Sequence, residues 1–507
     1  MSYIVLYVVA GYLVLLLGVG AVSKLFFRGT STDYFVASRT IGPFMLLMSV
    51  FGTTMTAFAL VGSTGKAYAS GIGVYGLMAS WSGLIHSACF FLVGLRLWSV
   101  GKRFGLVTQC QYFRRRFESQ AVGFVLFPIL VALIVPYLLI GILGAGAVME
   151  GVTRNMFDGT FEGGALPPWL TGLVICGVVL IYVFSGGVRS TAWANTFQTL
   201  VFMVTGIVAF VLIANALGGM QAASEAVVAK APSRLAREGL IGRWQFFTYL
   251  FVPLSVGMFP HLFQHWLTAR SARSFRLTVI AHPICIMVVW VPCILIGIWA
   301  TGTDIKFPPK PNAVLGVMVG RLLQNPWLTG LLIAGILAAI MSSLDSQFMC
   351  IGTMFTNDIV LHLAGRDRFT DRQQLWIGRG FVVAIVTLTY LLSLASTRGI
   401  FDLAVWCFSG FGGLFPIVLA AVYWRRTTVA GVIASVVVAT LLWLWFFHLS
   451  DHGGEYLLFK DYFSSETGHD GIMPVAIITL GCAVTLVLVS LLTKPPSEKT
   501  LGEFFPS

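Results

Sequence analysis

Long apolar runs with almost no charge inside them constrain this chain more than any other feature. Thirteen can be marked, near 3–26, 41–65, 72–98, 121–150, 167–186, 191–217, 244–264, 276–301, 327–356, 376–396, 399–424, 428–448 and 472–493. Each is near the roughly 20 residues that an α-helix needs to cross hydrocarbon. With 57% hydrophobic and only 10% charged residues among 507, the chain lacks the polarity to cover a soluble globule. The expected class is therefore an all-α polytopic membrane protein of about 13 transmembrane helices, with short loops and no sizeable soluble domain.

The formal charge of +12 does not point to nucleic acid, because Lys and Arg stand in short clusters between apolar runs and no basic, aromatic-interleaved stretch occurs. The first run has no positive residue before it and Lys24 and Arg28 at its far end, the reverse of a signal peptide. It is expected to stay in the membrane with the N-terminus outside. Loops then inside carry about 21 Lys and Arg against about 11 outside, the expected bias, and an odd number of spans leaves the C-terminus cytoplasmic. A multi-pass protein of the plasma membrane follows. The eight cysteines are scattered, without a CxxC pair, and read as small core residues.

Two apolar runs are interrupted where polarity is expensive. The second holds Phe51-Gly52-Thr53-Thr54-Met55-Thr56-Ala57-Phe58, and the seventh holds Pro253-Leu254-Ser255-Val256-Gly257-Met258-Phe259-Pro260-His261. Unwound backbone at that depth is tolerated only where it lines a cavity, and a pair of such breaks in corresponding places points to repeats with a midplane site. A proline kink with Thr bonding back to its own helix is the simpler alternative for either break alone. The expected organisation is an N-terminal extra helix and loop over 1–40, a five-helix repeat over 41–217, a second over 218–426 with its preceding outside loop, and two C-terminal helices with a short tail over 427–507.

The ninth run contains a polar stripe. Ala339, Ser342, Ser343 and Ser346 fall at i, i+3, i+4 and i+7, one helical face, with Asp345 at its edge. Hydroxyl oxygens are hard donors suited to a sodium ion, whereas the same small residues also serve as a tight helix–helix seam. An ionisable residue inside the membrane is costly and weighs toward function.

Four stretches carry a resemblance: Ser31-Thr32-Asp33-Tyr34-Phe35-Val36-Ala37-Ser38-Arg39, Phe184-Ser185-Gly186-Gly187-Val188-Arg189-Ser190-Thr191-Ala192-Trp193, the stripe at 338–346, and Gly410-Phe411-Gly412-Gly413 followed by Tyr423-Trp424-Arg425-Arg426. In this order the chain resembles the sodium/solute symporter family from about residue 30 to 435, which implies a LeuT-type 5+5 inverted repeat. The resemblance implies a sodium ion held by the carbonyls of Gly52, Met55 and Ala339 and the hydroxyls of Ser342 and Ser343. Where many members have an acidic residue after the Gly-Gly turn, this chain has Asn195, while Asp345 stands where those members offer a hydroxyl. A second cation site from Ser342, Asp345, Ser346 and Asn195 is one consequence; a protonated Asp345, or a structural bond to Asn195, is the other.

Fold-level inference places solute between the two breaks and the third span, with Thr53, Thr54, Thr56, Phe58 and Tyr75 facing Ser255, Met258, Phe259 and His261. Pro260-His261 resembles the proline, pantothenate and monocarboxylate branch, yet the arginine often found four residues later is His265 here. A missing guanidinium weakens any bidentate grip on a carboxylate. His261 and His265 have metal-ligand spacing but lack the HExxH glutamate, and hydrogen bonding is the preferred reading. Gly65-Lys66-Ala67 lacks the pattern of a phosphate loop, and Lys66 and Arg96 read as snorkelling or gate residues. The function expected is sodium-coupled import of a small organic solute, amino acid or monocarboxylate-like, by alternating access. Proton coupling through Asp345 and a transporter-like sensor are the rivals; the short segment after Lys494 weighs against a sensor, and the lack of clustered His, Asp or Glu in the spans against an enzyme.

Overall fold

The computed structural model describes residues 3–23, 31–237, 240–309, 311–365, 368–396, 398–463 and 470–505, and Lys24 and Arg28 lie outside these. Among the described residues the chain is helical and forms no strand, only the isolated bridges Ile41–Ala269 and Leu458–Ile472. Helices satisfy their backbone groups internally, which hydrocarbon demands.

The first helix is α1 (Ile4–Ser23). A first bent pair follows, α2 (Pro43–Thr54) and α3 (Phe58–Ser70), then α4 (Gly76–Phe104), the short α5 (Gln109–Phe117), α6 (Gln120–Val152) and α7 (Pro168–Ala216). A second bent pair is α8 (Arg243–Gly257) and α9 (Pro260–Thr268), followed by α10 (Ser274–Ala300), α11 (Pro326–Ala364), α12 (Asp371–Ala395) and α13 (Ile400–Tyr423). The last elements are α14 (Val429–Leu449), α15 (Pro474–Leu492) and the tail helix α16 (Glu498–Phe504).

Ten helices are long and apolar enough to cross a membrane, or up to twelve if each bent pair is one span. That differs from the expected thirteen, and the difference lies in α7. Its 49 residues would extend about 74 Å if straight, more than twice the hydrocarbon thickness. Gly187 interrupts it with φ 61° and ψ −149°, and a Cβ there would lie 2.5 Å from the Tyr34 carbonyl oxygen, so glycine is required by conformation and by space. Tyr182 and Asn195 would stand about 20 Å apart along a straight helix. Both reach Asp345 instead, so the two arms fold back on one another at Gly187.

Each bent pair has a local cause. In the first, bent by 59°, Met55 leaves helical geometry at φ −88° and ψ 87°, and the Thr56 hydroxyl accepts from Phe58 N at 3.0 Å to start the second half. In the second, bent by 51°, Pro260 has no N–H to continue the ladder and Phe259 is extended. Ile41 N donates to Thr268 O at 3.0 Å and Arg270 N to Ile41 O at 2.9 Å. The start of one broken span therefore meets the end of the other, and the two run in opposite directions.

Helices α11 and α13 are the most enclosed of the spans, whereas α12 presents mostly apolar side chains outward, as a lipid-facing helix does. On the arginine-rich face α5 lies across the bundle. Its Arg114 forms a buried ion pair with Asp358 of α11 at 3.2 Å, and Thr108 donates to the same carboxylate at 2.9 Å.

Candidate cation and solute site

The serine stripe of α11 faces the break after α2. Ser342 Oγ lies 2.8 Å from the Gly52 carbonyl oxygen and 2.9 Å from that of Ala339, and can donate to either. Three of the five expected sodium ligands are thus within hydrogen-bond reach of one another. Met55 belongs to the same break and donates its N–H to Phe51 O at 3.0 Å and Gly52 O at 3.2 Å. Ser343 lies next along the stripe, but its hydroxyl turns back to Ile340 O at 3.0 Å. A Cβ on Gly52 would strike Thr199 Oγ1 of α7, so the glycine lets three helices close around this point.

One turn further along α11, Asp345 is wholly buried among neutral donors. Tyr182 Oη donates to it at 2.9 Å and Ser346 Oγ lies 3.0 Å from its other oxygen. With its nitrogen turned toward the carboxylate, Asn195 donates to both Asp345 oxygens at 2.8 and 3.0 Å while its own oxygen faces Ser346 Oγ at 2.9 Å. Among the described residues no cationic side chain pairs with Asp345. Asn195, Asp345, Ser346 and the Ser342 carbonyl, 3.2 Å from Ser346 Oγ, therefore lie together. Buried charge without a counter-charge is expensive, so this pocket favours either a cation or a proton.

The two breaks are joined by a cluster of buried aromatic rings packed against one another. Phe58 contacts Phe408 of α13 with ring centres 5.3 Å apart, and Phe408 contacts Phe259 at 5.5 Å and Tyr137 of α6 at 5.1 Å. His261 stacks on Phe259 at 5.1 Å and meets Tyr137 at 5.5 Å; it is buried, and among the described residues neither ring nitrogen has a hydrogen-bond partner. The buried hydroxyl of Thr53 also lacks a partner. An unsatisfied buried polar group is costly unless something else completes it.

Other expected residues lie differently. Thr54 Oγ1 turns to Phe51 O at 2.8 Å and to His282 Nε2 of α10 at 3.2 Å, and not to the aromatic cluster. Thr56 caps α3, as described above. Ser255 is buried in the turn before the second break, where its carbonyl accepts from Met258 N at 2.9 Å. The Met258 sulfur accepts from Gln109 Nε2 at 3.6 Å. Tyr75 is half-buried before α4, and among the described residues no ring contact or side-chain hydrogen bond joins it to either broken span. His265 does not share a site with His261 but contacts Ser346 Oγ at 2.9 Å.

Residues that sequence reasoning did not single out stand beside these groups: Tyr182 at the carboxylate, Thr199 behind Gly52, and Tyr137 and Phe408 in the aromatic cluster. Each sits in an apolar or mildly polar helix whose local pattern carries no mark of what it will face.

Comparison with known proteins gives the family and the fold. The family model described as sodium:solute symporter family matches residues 34–439. The sodium/proline symporter of Salmonella typhimurium is 26% identical over 433 residues, covering 81% of each chain. The osmoregulated proline transporter OpuE of Bacillus subtilis is 24% identical, covering 93% of this chain and 92% of its own. Among solved structures, a Na+-coupled sialic acid symporter in a substrate-bound outward-open state, with a novel Na+ site, superposes with a TM-score of 0.75 at 17% identity over 98% of this chain and 99% of its own. MhsT in complex with L-phenylalanine gives 0.50 at 13% identity, over 88% and 97%.

Proposed function

The chain belongs to the sodium:solute symporter family, and from that premise we propose how it couples sodium to its solute. It is a multi-pass membrane protein that carries out sodium-coupled symport of a small organic solute on the LeuT-type fold. Sodium is cargo here, and it binds where α11 meets the first break, held by Gly52, Met55 and Ala339 carbonyls and the hydroxyls of Ser342 and Ser343. The observation that carries this reading is the Ser342 hydroxyl, which lies between the Gly52 and Ala339 carbonyls at 2.8 and 2.9 Å. A cation there replaces a single shared proton with a charge that all the oxygens face, tying α2 to α11.

Solute binds at the aromatic cluster between the breaks, with Thr53, Phe58, Phe259 and His261 around it. The unpartnered nitrogens of His261 and the Thr53 hydroxyl support a polar solute with a compact apolar body. An amino acid or monocarboxylate fits, in keeping with the proline symporters it resembles. Because sodium and solute each stabilise contacts of the same broken span, each tightens the other, by equal factors. Asp345 with Ser346 and Asn195 holds a second cation, supported by a carboxylate that faces only neutral donors. The repeats span 41–217 and 218–426, and the protein sits in the plasma membrane with its N-terminus outside and C-terminus cytoplasmic.

Thermal shifts of the purified protein against amino acids, monocarboxylates, vitamins and sugars, each in sodium and in potassium chloride, test this. A ligand at a hundred times its dissociation constant adds about 2.7 kcal/mol, enough to see. A hit in sodium alone is expected. Hits indifferent to sodium overturn the cation assignment and favour a proton at Asp345.

A further inference from the structure

Lys66 lies two turns beyond Phe58 on α3, at the mouth of the bundle opposite the Ile41–Ala269 bridge. Its ammonium donates to Tyr456 Oη at 2.5 Å and stands 5.0 Å from the ring centres of both Phe401 and Tyr456. Among the described residues no carboxylate comes within ion-pair distance of it, since every ion pair found uses another cation. An ammonium has three N–H donors. One meets a neutral hydroxyl here, and two ring faces add the weaker cation–π attraction. The charge is cradled by a hydroxyl and two ring faces, with no carboxylate in contact with it among the described residues. Asp402, near the start of α13, is within electrostatic reach of Lys66 and of Arg398 and forms an ion pair with neither. Lys460, beside it and paired with Glu455, has its pKa lowered by partial burial first; Asp461 opposes this and Lys66 adds to it.

The position of this charge gives it a use. Phe401 is flanked by Lys66 on one side and by Phe58 on the other, with ring centres 5.5 Å apart, so a single ring separates the ammonium from the aromatic cluster. The rings around the breaks bring no cationic side chain of their own, and His265, four residues after His261, is engaged with Ser346. Tyr456 comes from the loop after α14, outside both repeats. Its hydroxyl also accepts from Gln245 Nε2 of α8 at 3.4 Å, so one oxygen joins the two broken spans at this mouth. Trp406 Nε1 holds the loop to α13 through Glu455 O at 2.8 Å.

We infer that Lys66 is a specificity-determining residue that recognises the carboxylate of the solute in the vestibule, with the Tyr456 hydroxyl keeping its place until the carboxylate arrives. The solute class is an amino acid or organic acid with a free carboxylate; a sugar, an amide or a cation does not satisfy it. This rests on the reading of the chain as a solute symporter and names the group that selects among solutes. Exchanging a neutral hydroxyl for a carboxylate turns an ordinary hydrogen bond into a charge-assisted one, roughly twice as strong. Because the Phe401 and Tyr456 rings cover the ammonium, the carboxylate reaches it by taking the place of the hydroxyl, which loosens the link between α3 and α8 and makes recognition and opening of the mouth one event.

The test uses the full chain in proteoliposomes and detergent, with L-proline, pyruvate and propionate as probes, each beside the corresponding amide. At least one acid should be bound and taken up, and no amide. K66M should raise the half-saturating concentration of that acid about tenfold or more, equivalent to losing one charge-assisted contact. K66R should restore it to within about threefold and Y456F should lower it, because the hydroxyl no longer competes for the ammonium. Should K66M fail to insert, the Y456F arm decides alone. An amide that matches its acid, K66M within about twofold of the parent, Y456F without a gain in affinity, or no acid engaged at all overturns the assignment. Acid binding that ignores sodium overturns the coupling scheme and leaves Lys66 standing; sodium-dependent binding untouched by K66M overturns Lys66 alone.

Discussion

Replacing Ser342 with alanine removes one oxygen from the junction of α2 and α11, and its cost can be divided between the sodium-free and sodium-bound protein. Without sodium, the hydroxyl proton is shared between Gly52 O and Ala339 O at 2.8 and 2.9 Å. Neither carbonyl is orphaned by its loss: Gly52 O still accepts from Met55 N at 3.2 Å, and Ala339 lies inside a continuous helix. The loss to folding should therefore be only about 1 kcal/mol, the net worth of one hydrogen bond. With sodium, the missing hydroxyl is a ligand to a full charge, worth about 1.5–3 kcal/mol, or roughly a 10- to 150-fold loss of sodium affinity. Adding Ser343→Ala should abolish sodium-dependent binding. Sodium titration of the thermal shift at fixed solute measures the affinity, and the melting temperature in potassium measures the fold. A sodium half-saturation unchanged within about twofold in the double variant refutes the site.

Three further outcomes are expected. Phe408→Ala, which empties the ring joining Phe58 to Phe259, should weaken solute binding while sodium affinity in the absence of solute stays near the parent's; equal losses in both would mean that the bundle had collapsed. Gly187→Ala should destabilise by about 1–3 kcal/mol, because φ 61° with ψ −149° is a region nearly closed to other residues and the Tyr34 carbonyl leaves no room; a thermal denaturation curve matching the parent's would contradict the hairpin. Asp345→Asn should make solute uptake less steep in sodium concentration, since the amide carries no charge for a second ion. An unaltered slope would assign Asp345 a structural bond to Asn195 and Tyr182.

Much of this protein is determined by its sequence alone. Apolar runs announce spans because hydrocarbon admits only helices that satisfy their own backbone. Gly52-Thr53-Thr54 and Pro260 announce breaks because polar side chains and a missing N–H disrupt a ladder locally. The stripe at Ala339, Ser342, Ser343 and Ser346 is legible because helical periodicity puts these residues on one face before any partner is known. Other features needed the tertiary structure. The spacing of apolar runs suggested two spans around Gly187, but that Tyr182 and Asn195 converge on Asp345 depends on how tightly the arms close against α11. Thr54 faces His282 and not the aromatic cluster because the direction of a side chain at a break is set by the helix packed against it, and no local rule supplies that helix. Phe408, Tyr137 and Tyr456 look like ordinary aromatics of apolar helices and a loop. They become one aromatic cluster and a contact to Lys66 only when α13, α6 and the loop after α14 are brought against the broken spans, by packing between residues far apart in the chain.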